Sequence, residues 1–345
     1  MIQSVGGVLS SAAKIEWDLL RLDLVHPVVS GNKMFKLGPY LEQAILQHAP
    51  GLVGFGGAWS NHIHALAYAA RERGLASIGI IRGEAPPGSN AMLDDCRRWG
   101  MDLRFFSRQA YRQATDVLKS RKIPIIPDDA VTNKVRDRDV LNALQDDPAF
   151  QSSKKPALPR GLADALPPDW MMVPEGGYGL LGMEGAARIW THIPAGQYTH
   201  ILCAVGTGTM VAGLALARHR REAVAHRGTD PQIPAIIGLS VLKHENQERE
   251  IDQLLDPAGV VEKPLLVHRF HGGGYARSTP ALLDFMRSFY QETGIPSDLV
   301  YTSKLLWGIR QLAQEGFFPM GSRILAIHSG GLQGNRSLKK GILPY

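Results

Sequence analysis

The sequence predicts an α/β fold built from two open, twisted parallel sheets, each covered by helices. Three observations carry that prediction. From residue 51 onward, short apolar runs alternate with segments of helical spacing, as in successive β-α-β units. The runs are continuously apolar, as strands buried on both faces of a parallel sheet are. A stretch over 144–168, rich in Pro, Ser and Lys, interrupts the alternation, which then resumes.

In order, Gly51 to Phe55 is the first predicted strand of this series, broken by Gly56-Gly57, and His62 to Arg73 the first helix. Ala76 to Ile81 is a second strand, followed by a helix over Ser89 to Trp99 that opens on a capping serine or asparagine. Leu103 to Phe106 is a third strand, and a helix follows from Ala110 to about Lys119. Beyond the polar stretch, Met171 to Pro174 is a strand and Met183 to Trp190 a helix. His200 to Val205 leads through Gly206-Thr207-Gly208-Thr209 into a helix from about Met210 to Ala217. Ile236 to Leu239, Leu265 to Phe270 and Ile324 to His328 complete the strands. Thr279 to Glu292 and Ser303 to Gln314 are the remaining helices.

At 345 residues the chain is long for one core, and two domains are expected. Residues 1–46 and 155–345 would form the larger, ligand-binding domain and 47–154 the smaller. Hydrophobic residues make up 44% and charged residues 20%, as in ordinary globular proteins. No apolar run reaches the length of a membrane helix, and Met1 to Leu9 lack the pattern of a secretory signal. Two cysteines, Cys96 and Cys203, are too few for a disulfide framework or a cysteine zinc site, so a reducing cytoplasm is expected. The net charge of +6 is spread over short runs such as Arg218-His219-Arg220-Arg221, which read as solvated helix ends. No nucleic-acid partner is expected, although a cationic bias helps to attract small anions.

The strongest local signal is Cys203 to Gly213. An apolar strand ends in two glycines flanked by hydroxyls, and a helix begins at once. Backbone N–H groups at a helix start, aided by the macrodipole and by Thr207 and Thr209, make an anion site. The spacing Gly-x-Gly-x4-Gly does not meet the dinucleotide fingerprint, and no Gly-Lys-Ser/Thr follows to make a P-loop. A ligand-free tight turn remains open. Gly54 to His62 repeats the theme: glycines end a strand, then Ser60 or Asn61 caps a helix. Ordinary capping explains this second loop, and a carboxylate pocket is the sharper alternative. His62 and His64, two apart on one helix, point apart and make a poor metal pair, so no metal is expected. Lys33 and Lys36 share a helical face if a helix starts after Asn32. A neighbouring cation lowers a lysine's pKa and favours the neutral, nucleophilic amine. Gly272-Gly273-Gly274-Tyr275, Leu299 to Lys304 and His328-Ser329-Gly330-Gly331 each fall where a strand or loop meets a helix, the usual place for ligands of open α/β sheets.

Taken in order, these segments resemble the 1-aminocyclopropane-1-carboxylate (ACC) deaminase / D-cysteine desulfhydrase family of tryptophan-synthase-β-like enzymes. The resemblance rests on Ser30-Gly31-Asn32-Lys33-x-x-Lys36-Leu37, Gly56 to His62, Pro174-Glu175-Gly176-Gly177, Gly206 to Thr209, Gly273-Gly274-Tyr275, Tyr301 to Lys304 and His328 to Gly331. It implies a pyridoxal 5'-phosphate enzyme with its cofactor in the cleft between two domains. By the same resemblance, Lys33 is the Schiff-base lysine, and Gly206, Thr207, Gly208 and Thr209 hold the phosphate. Asn61 bonds the ring hydroxyl, and Ser60, Asn61, His62 and Ser329 face the substrate. Tyr301 stacks on the ring, Thr302 faces its nitrogen, and Tyr275 reaches over the reacting carbon. A homodimer is implied as well.

Two departures bear on substrate. ACC deaminases of the family carry a glutamate after the stacking tyrosine and a leucine before the last Gly-Gly; here those places hold Thr302 and Ser329. A hydroxyl at the ring nitrogen makes a weaker electron sink than a carboxylate. That favours loss of a thiolate from the β-carbon of D-cysteine over opening of a cyclopropane. Met34-Phe35 and Gly38 also depart from the family pattern, beside Lys33. ACC deamination and non-catalytic cofactor binding are the alternatives, since fold alone does not fix function.

Overall fold

The computed structural model describes residues 1–5, 14–120, 166–167, 169–225 and 233–345. Strands β1 (Ile2–Ser4) and β2 (Glu16–Arg21) open the chain. β3 (Gly51–Gly57), β4 (Ala76–Arg82), β5 (Asp102–Phe106) and β6 (Met171–Val173) follow, then β7 (His200–Val205), β8 (Ala235–Ser240), β9 (Leu265–Val267) and β10 (Arg323–His328). They assemble into two sheets, a smaller one in the order β5-β4-β3-β6 and a larger one in the order β1-β2-β10-β7-β8-β9. Every pairing is parallel except that of β1 with β2.

Both sheets are covered on both faces, which is why their strands read as continuous apolar runs. In β7, Ile201, Cys203 and Val205 point into one core and Leu202 and Ala204 into the opposite one. The first core is closed by helices α5 (Leu180–Ala187), α6 (Thr209–Ala225) and α7 (Gln247–Leu255), the second by α8 (Pro280–Thr293) and α9 (Thr302–Gln314). On the smaller sheet, α1 (Asn32–Leu46), α2 (Asn61–Glu72) and α3 (Ala91–Arg98) cover one face and α4 (Arg108–Ser120) the other.

The expected division between domains places residues 1–46 and 155–345 together, but two of their elements join the smaller sheet. β6 pairs with β3, from Leu52 opposite Met171 to Gly54 opposite Val173. α1 buries Leu37, Tyr40, Leu41 and Ala44 in the same core as Leu52, Ile63 and Leu66. The same helix also packs closely on α5, the Phe35 carbonyl lying 2.2 Å from where a Gly185 β-carbon would sit, so it bridges the cores of the two sheets. A three-residue strand carries no pattern that names its partner, so its sheet is a long-range choice. Nearly all of the polar stretch 144–168 lies outside the described residues. The strand expected over 265–270 stops at Val267, and the helix expected to end at Ala217 runs on to Ala225.

Candidate active site

Several motif loops meet between the carboxyl ends of the two sheets. The start of α1 is placed by Gly31, whose φ of 70° and ψ of −149° suit glycine alone. A β-carbon there would lie 1.9 Å from the Ser329 carbonyl oxygen. That carbonyl instead accepts from the Asn32 N–H at 3.1 Å, so loop 328–331 and the Lys33 segment touch directly. The His328 ring orders the loop from below. Its Nε2–H donates to the Pro296 carbonyl at 2.7 Å, leaving Nδ1 to accept from Gly330 N–H at 3.3 Å. Burial pushes its pKa down, opposed by the Asp23 carboxylate 3.3 Å from Nδ1.

Lys33 stands on the first turn of α1, its Nζ donating to Asn32 Oδ1 at 2.7 Å. Burial lowers its pKa to about 8, opposed by the charge of Asp298. Lys36, one turn on, is 3% exposed and makes no ion pair among the described residues. Burial, then repulsion from Lys33, pushes its pKa well below the ordinary lysine value. Its β-carbon and His62 Cε1 lie on either side of Gly177, 3.4 and 3.9 Å from where a β-carbon would sit. His62 is also 3% exposed, with the Val173 backbone as its hydrogen-bonding neighbour among the described residues. Burial and the two lysines hold its pKa well below the usual imidazole value.

The loop after β3 supplies Ser60 and Asn61. Ser60 is the helix cap that the sequence suggests, its Oγ accepting from Ile63 N–H at 3.3 Å. Asn61 Oδ1 is buried without a partner, and its amide nitrogen lies 3.0 Å from where a Gly331 β-carbon would sit. His64 belongs elsewhere, bonded to Asp95 at 3.1 Å and edge-on to Trp99. Among the described residues, no group of three or more His, Cys, Asp or Glu is placed to hold a metal ion.

The loop after β7 turns through Gly208, at a φ of 78°, so that α6 starts at Thr209. Thr207 and Thr209 share a hydroxyl hydrogen bond of 3.0 Å. Thr207 also packs against Gly176, where a β-carbon would come within 2.8 Å of its methyl group. The Tyr301 ring closes on the same loop, 3.1 Å from the corresponding position of Gly206. Thr302 is fully buried, with Oγ1 3.5 Å from the Gly330 carbonyl oxygen. Tyr275 is 47% exposed and spans the cleft, its hydroxyl 3.4 Å from the Trp59 carbonyl oxygen.

Two residues of this neighbourhood have no role in the sequence analysis. Asp298 is buried and accepts from the N–H groups of Val300, Tyr301 and Thr302 at 2.9, 2.9 and 2.7 Å. It thereby sets the backbone that presents Tyr301 and Thr302. An aspartate just ahead of a predicted helix was the available signal. Lys304 is the second, buried on α9, and a lysine's burial has no signature in a single sequence.

These residues fit a phosphorylated aromatic aldehyde. The start of α6 and the two threonine hydroxyls suit an anion. The amine of Lys33 is poised to be neutral, and Tyr301 offers a flat face beside the Gly206 turn. The unpartnered Asn61 Oδ1 awaits a hydrogen bond that no described protein group makes. Lys33 would carry such a cofactor covalently, with the phosphate at Gly206 to Thr209.

Two parallel sheets with this amine and this anion cradle between them define the fold type II class of pyridoxal-phosphate enzymes. The family described as pyridoxal-phosphate dependent enzymes matches residues 9–330, and the chain belongs to it. Within it, a bifunctional D-cysteine desulfhydrase/ACC deaminase of Arabidopsis thaliana, a mitochondrial protein, is 26% identical over 332 residues. That match covers 91% of this chain and 72% of the relative. An ACC deaminase of Mesorhizobium japonicum is 25% identical over 309 residues, 87% of this chain and 82% of that one. Among solved structures, an ACC deaminase homologue superposes with a TM-score of 0.68 at 22% identity, over 97% of this chain and 90% of that one. A fungal L-serine ammonia-lyase from Rhizomucor miehei shares the fold at a TM-score of 0.60 and 12% identity, over 96% and 93% of the two chains. The cofactor of the family is therefore pyridoxal phosphate, as the resemblance implied.

Proposed function

We propose that this protein is a lyase that converts D-cysteine and water to pyruvate, sulfide and ammonia by α,β-elimination. The observation that carries this reading is Thr302, a buried hydroxyl at the place where a carboxylate would strengthen the electron sink. The bound cofactor supplies an aldehyde that captures the substrate amine and a ring that takes up negative charge from its α-carbon. The protein's own groups do the rest.

Ser60 and His62 hold the substrate carboxylate, beside the positive end of α2. In the substrate complex Lys33 Nζ would take the α-proton. Its pKa near 8 lets it act as a base at neutral pH and return a proton afterwards. Asn32 Oδ1 orients that amine. Tyr301 would lie against the ring of a bound cofactor, and Asn61 would bond its hydroxyl. Thr302 would offer its nitrogen a neutral hydroxyl, leaving the sink weak. A thiolate is a good enough leaving group for such a sink. Tyr275 covers the reacting carbon and excludes water until sulfide has left; water then hydrolyses the released enamine to pyruvate and ammonia.

ACC deamination is the second reading, favoured by the Arabidopsis relative, whose name carries both activities. Among the described residues no helix is long and apolar enough to cross a membrane. A cytoplasmic homodimer is part of the proposal, carried over from the family resemblance. Keto-acid release from D-cysteine, L-cysteine, D-serine and ACC tests the reading. Pyruvate from D-cysteine at the highest kcat/KM is expected. Release of 2-oxobutanoate from ACC as the main activity would replace it with the second reading, and no turnover with a binding protein.

A further inference from the structure

We propose that Lys304 is a positioning residue that ties down the glycine loop so that Tyr275 stands over the reacting carbon. This rests on the role given to Tyr275 above. Lys304 lies on the first turn of α9, only 1% exposed, and pairs with no carboxylate. Its Nζ donates to three backbone carbonyls: Val241 at 3.1 Å, His271 at 2.8 Å and Gly274 at 3.0 Å. A primary ammonium has three N–H bonds, and all three are used.

The acceptors show what the lysine is for. Val241 follows directly on β8, part of the rigid larger sheet. His271 and Gly274 bracket the glycines that precede Tyr275. That loop has little else to hold it. Gly272, Gly273 and Gly274 have φ values of 59°, 89° and 139°, and Ala276 has 53°. Three glycines offer no side chains to pack and lose much backbone freedom when ordered. Within the loop, Gly274 N–H donates to the His271 carbonyl at 3.1 Å and Gly273 N–H to the His271 ring at 3.0 Å. Among the described residues, the Lys304 bonds are the hydrogen bonds that tie both ends of this turn to the body of the protein, beyond the long contact of Tyr275 with Trp59.

The same helix start thus sets both tyrosines. Asp298 fixes the backbone of Tyr301, and Lys304, three residues on, fixes the loop of Tyr275. One rigid element thereby governs the gap between the two rings in which the substrate must sit.

The test compares holoenzymes of wild type, Lys304→Met, Tyr275→Ala and the double variant. Amide hydrogen exchange and steady-state turnover of D-cysteine are measured for each. Lys304→Met keeps the length of the side chain and removes the donors. Exchange over 272–277 should speed up at least tenfold while the 206–209 turn stays unchanged. At equal cofactor content, kcat should fall at least tenfold with a smaller change in KM. In the Tyr275→Ala background, which lacks the covering ring, the further loss should be under threefold, because a residue acting through Tyr275 has little left to position. A loop as protected in Lys304→Met as in wild type overturns the tether, and so does a full, multiplicative loss in the double variant. Wild-type turnover by Tyr275→Ala overturns instead the role given to Tyr275. If Lys304→Met yields no holoenzyme, Lys304→Gln, which keeps at most two donors, gives the same comparison; wild-type exchange and turnover there overturn the proposal.

Discussion

Stripped of cofactor, the protein should take up pyridoxal phosphate with a pH dependence set by Lys33. Burial beside the anion cradle lowers the pKa of this amine from 10.5 to about 8. Only the neutral amine attacks an aldehyde, and a depressed pKa means that the neutral form dominates above pH 8 rather than above 10.5. At pH 7.5 about a quarter of the Lys33 amines are then neutral, against roughly one in a thousand for an ordinary lysine. The loading rate should therefore exceed that of an unperturbed lysine about 200-fold at that pH. It should rise with pH below 8 and level off above it. Asp298 is the charge that opposes the shift, so Asp298→Asn should move the midpoint to lower pH. Stopped-flow absorbance of the bound cofactor between pH 6 and 10, referenced to a free alkylamine, measures both curves. A wild-type rate that keeps climbing tenfold per pH unit through pH 9 would refute the assignment of the perturbed amine to this site.

Other outcomes follow from the geometry. Ser60→Ala and Ser60→Gly should both lower kcat/KM for D-cysteine at least tenfold, the loss of a hydrogen bond to a charged group. Only the alanine should also lose about 1 kcal/mol in thermal or denaturant unfolding, since glycine is a tolerated cap. Equal turnover by wild type and Ser60→Gly would make Ser60 a cap and nothing more. Asp298→Ala leaves the buried Thr302 N–H and the half-buried Val300 and Tyr301 N–H groups without their carboxylate, so unfolding should show a loss of about 2–4 kcal/mol and the purified protein should hold less cofactor. Thr302→Glu sets a second carboxylate beside Asp298, and the ratio of ACC to D-cysteine turnover should rise at least tenfold. An unchanged ratio would remove Thr302 from the account of substrate choice.

The sequence disclosed the parts of this molecule whose physics is local. Gly206 to Thr209 and the Ser60 cap are visible because a strand end, a glycine and a helix start lie within ten residues. β2 escaped notice because Asp18 and Arg21 interrupt its apolar run. In the fold Asp18 accepts from the distant Tyr198 hydroxyl at 2.8 Å, and Arg21 pairs at 2.7 Å with Asp23 just beyond the strand. α7 had no strong boundary signal, and its apolar residues Ile251, Leu254 and Leu255 matter only once the larger sheet is beside them. The sheet joined by β6 was beyond reach for the same reason. At the site, Lys33 by spacing alone was one lysine among many, and the resemblance carried by the ordered loops downstream is what makes it the proposed cofactor anchor. Lys304 stayed hidden because its three acceptors are backbone carbonyls up to 63 residues away.

The central claim, that Lys33 carries the cofactor, has one direct measurement. The holoenzyme is reduced with borohydride, digested and its peptides weighed. The account predicts a yellow protein and a stable pyridoxyl-phosphate adduct on Lys33, absent from Lys33→Ala. An adduct on Lys36, or none while activity persists in Lys33→Ala, would contradict it.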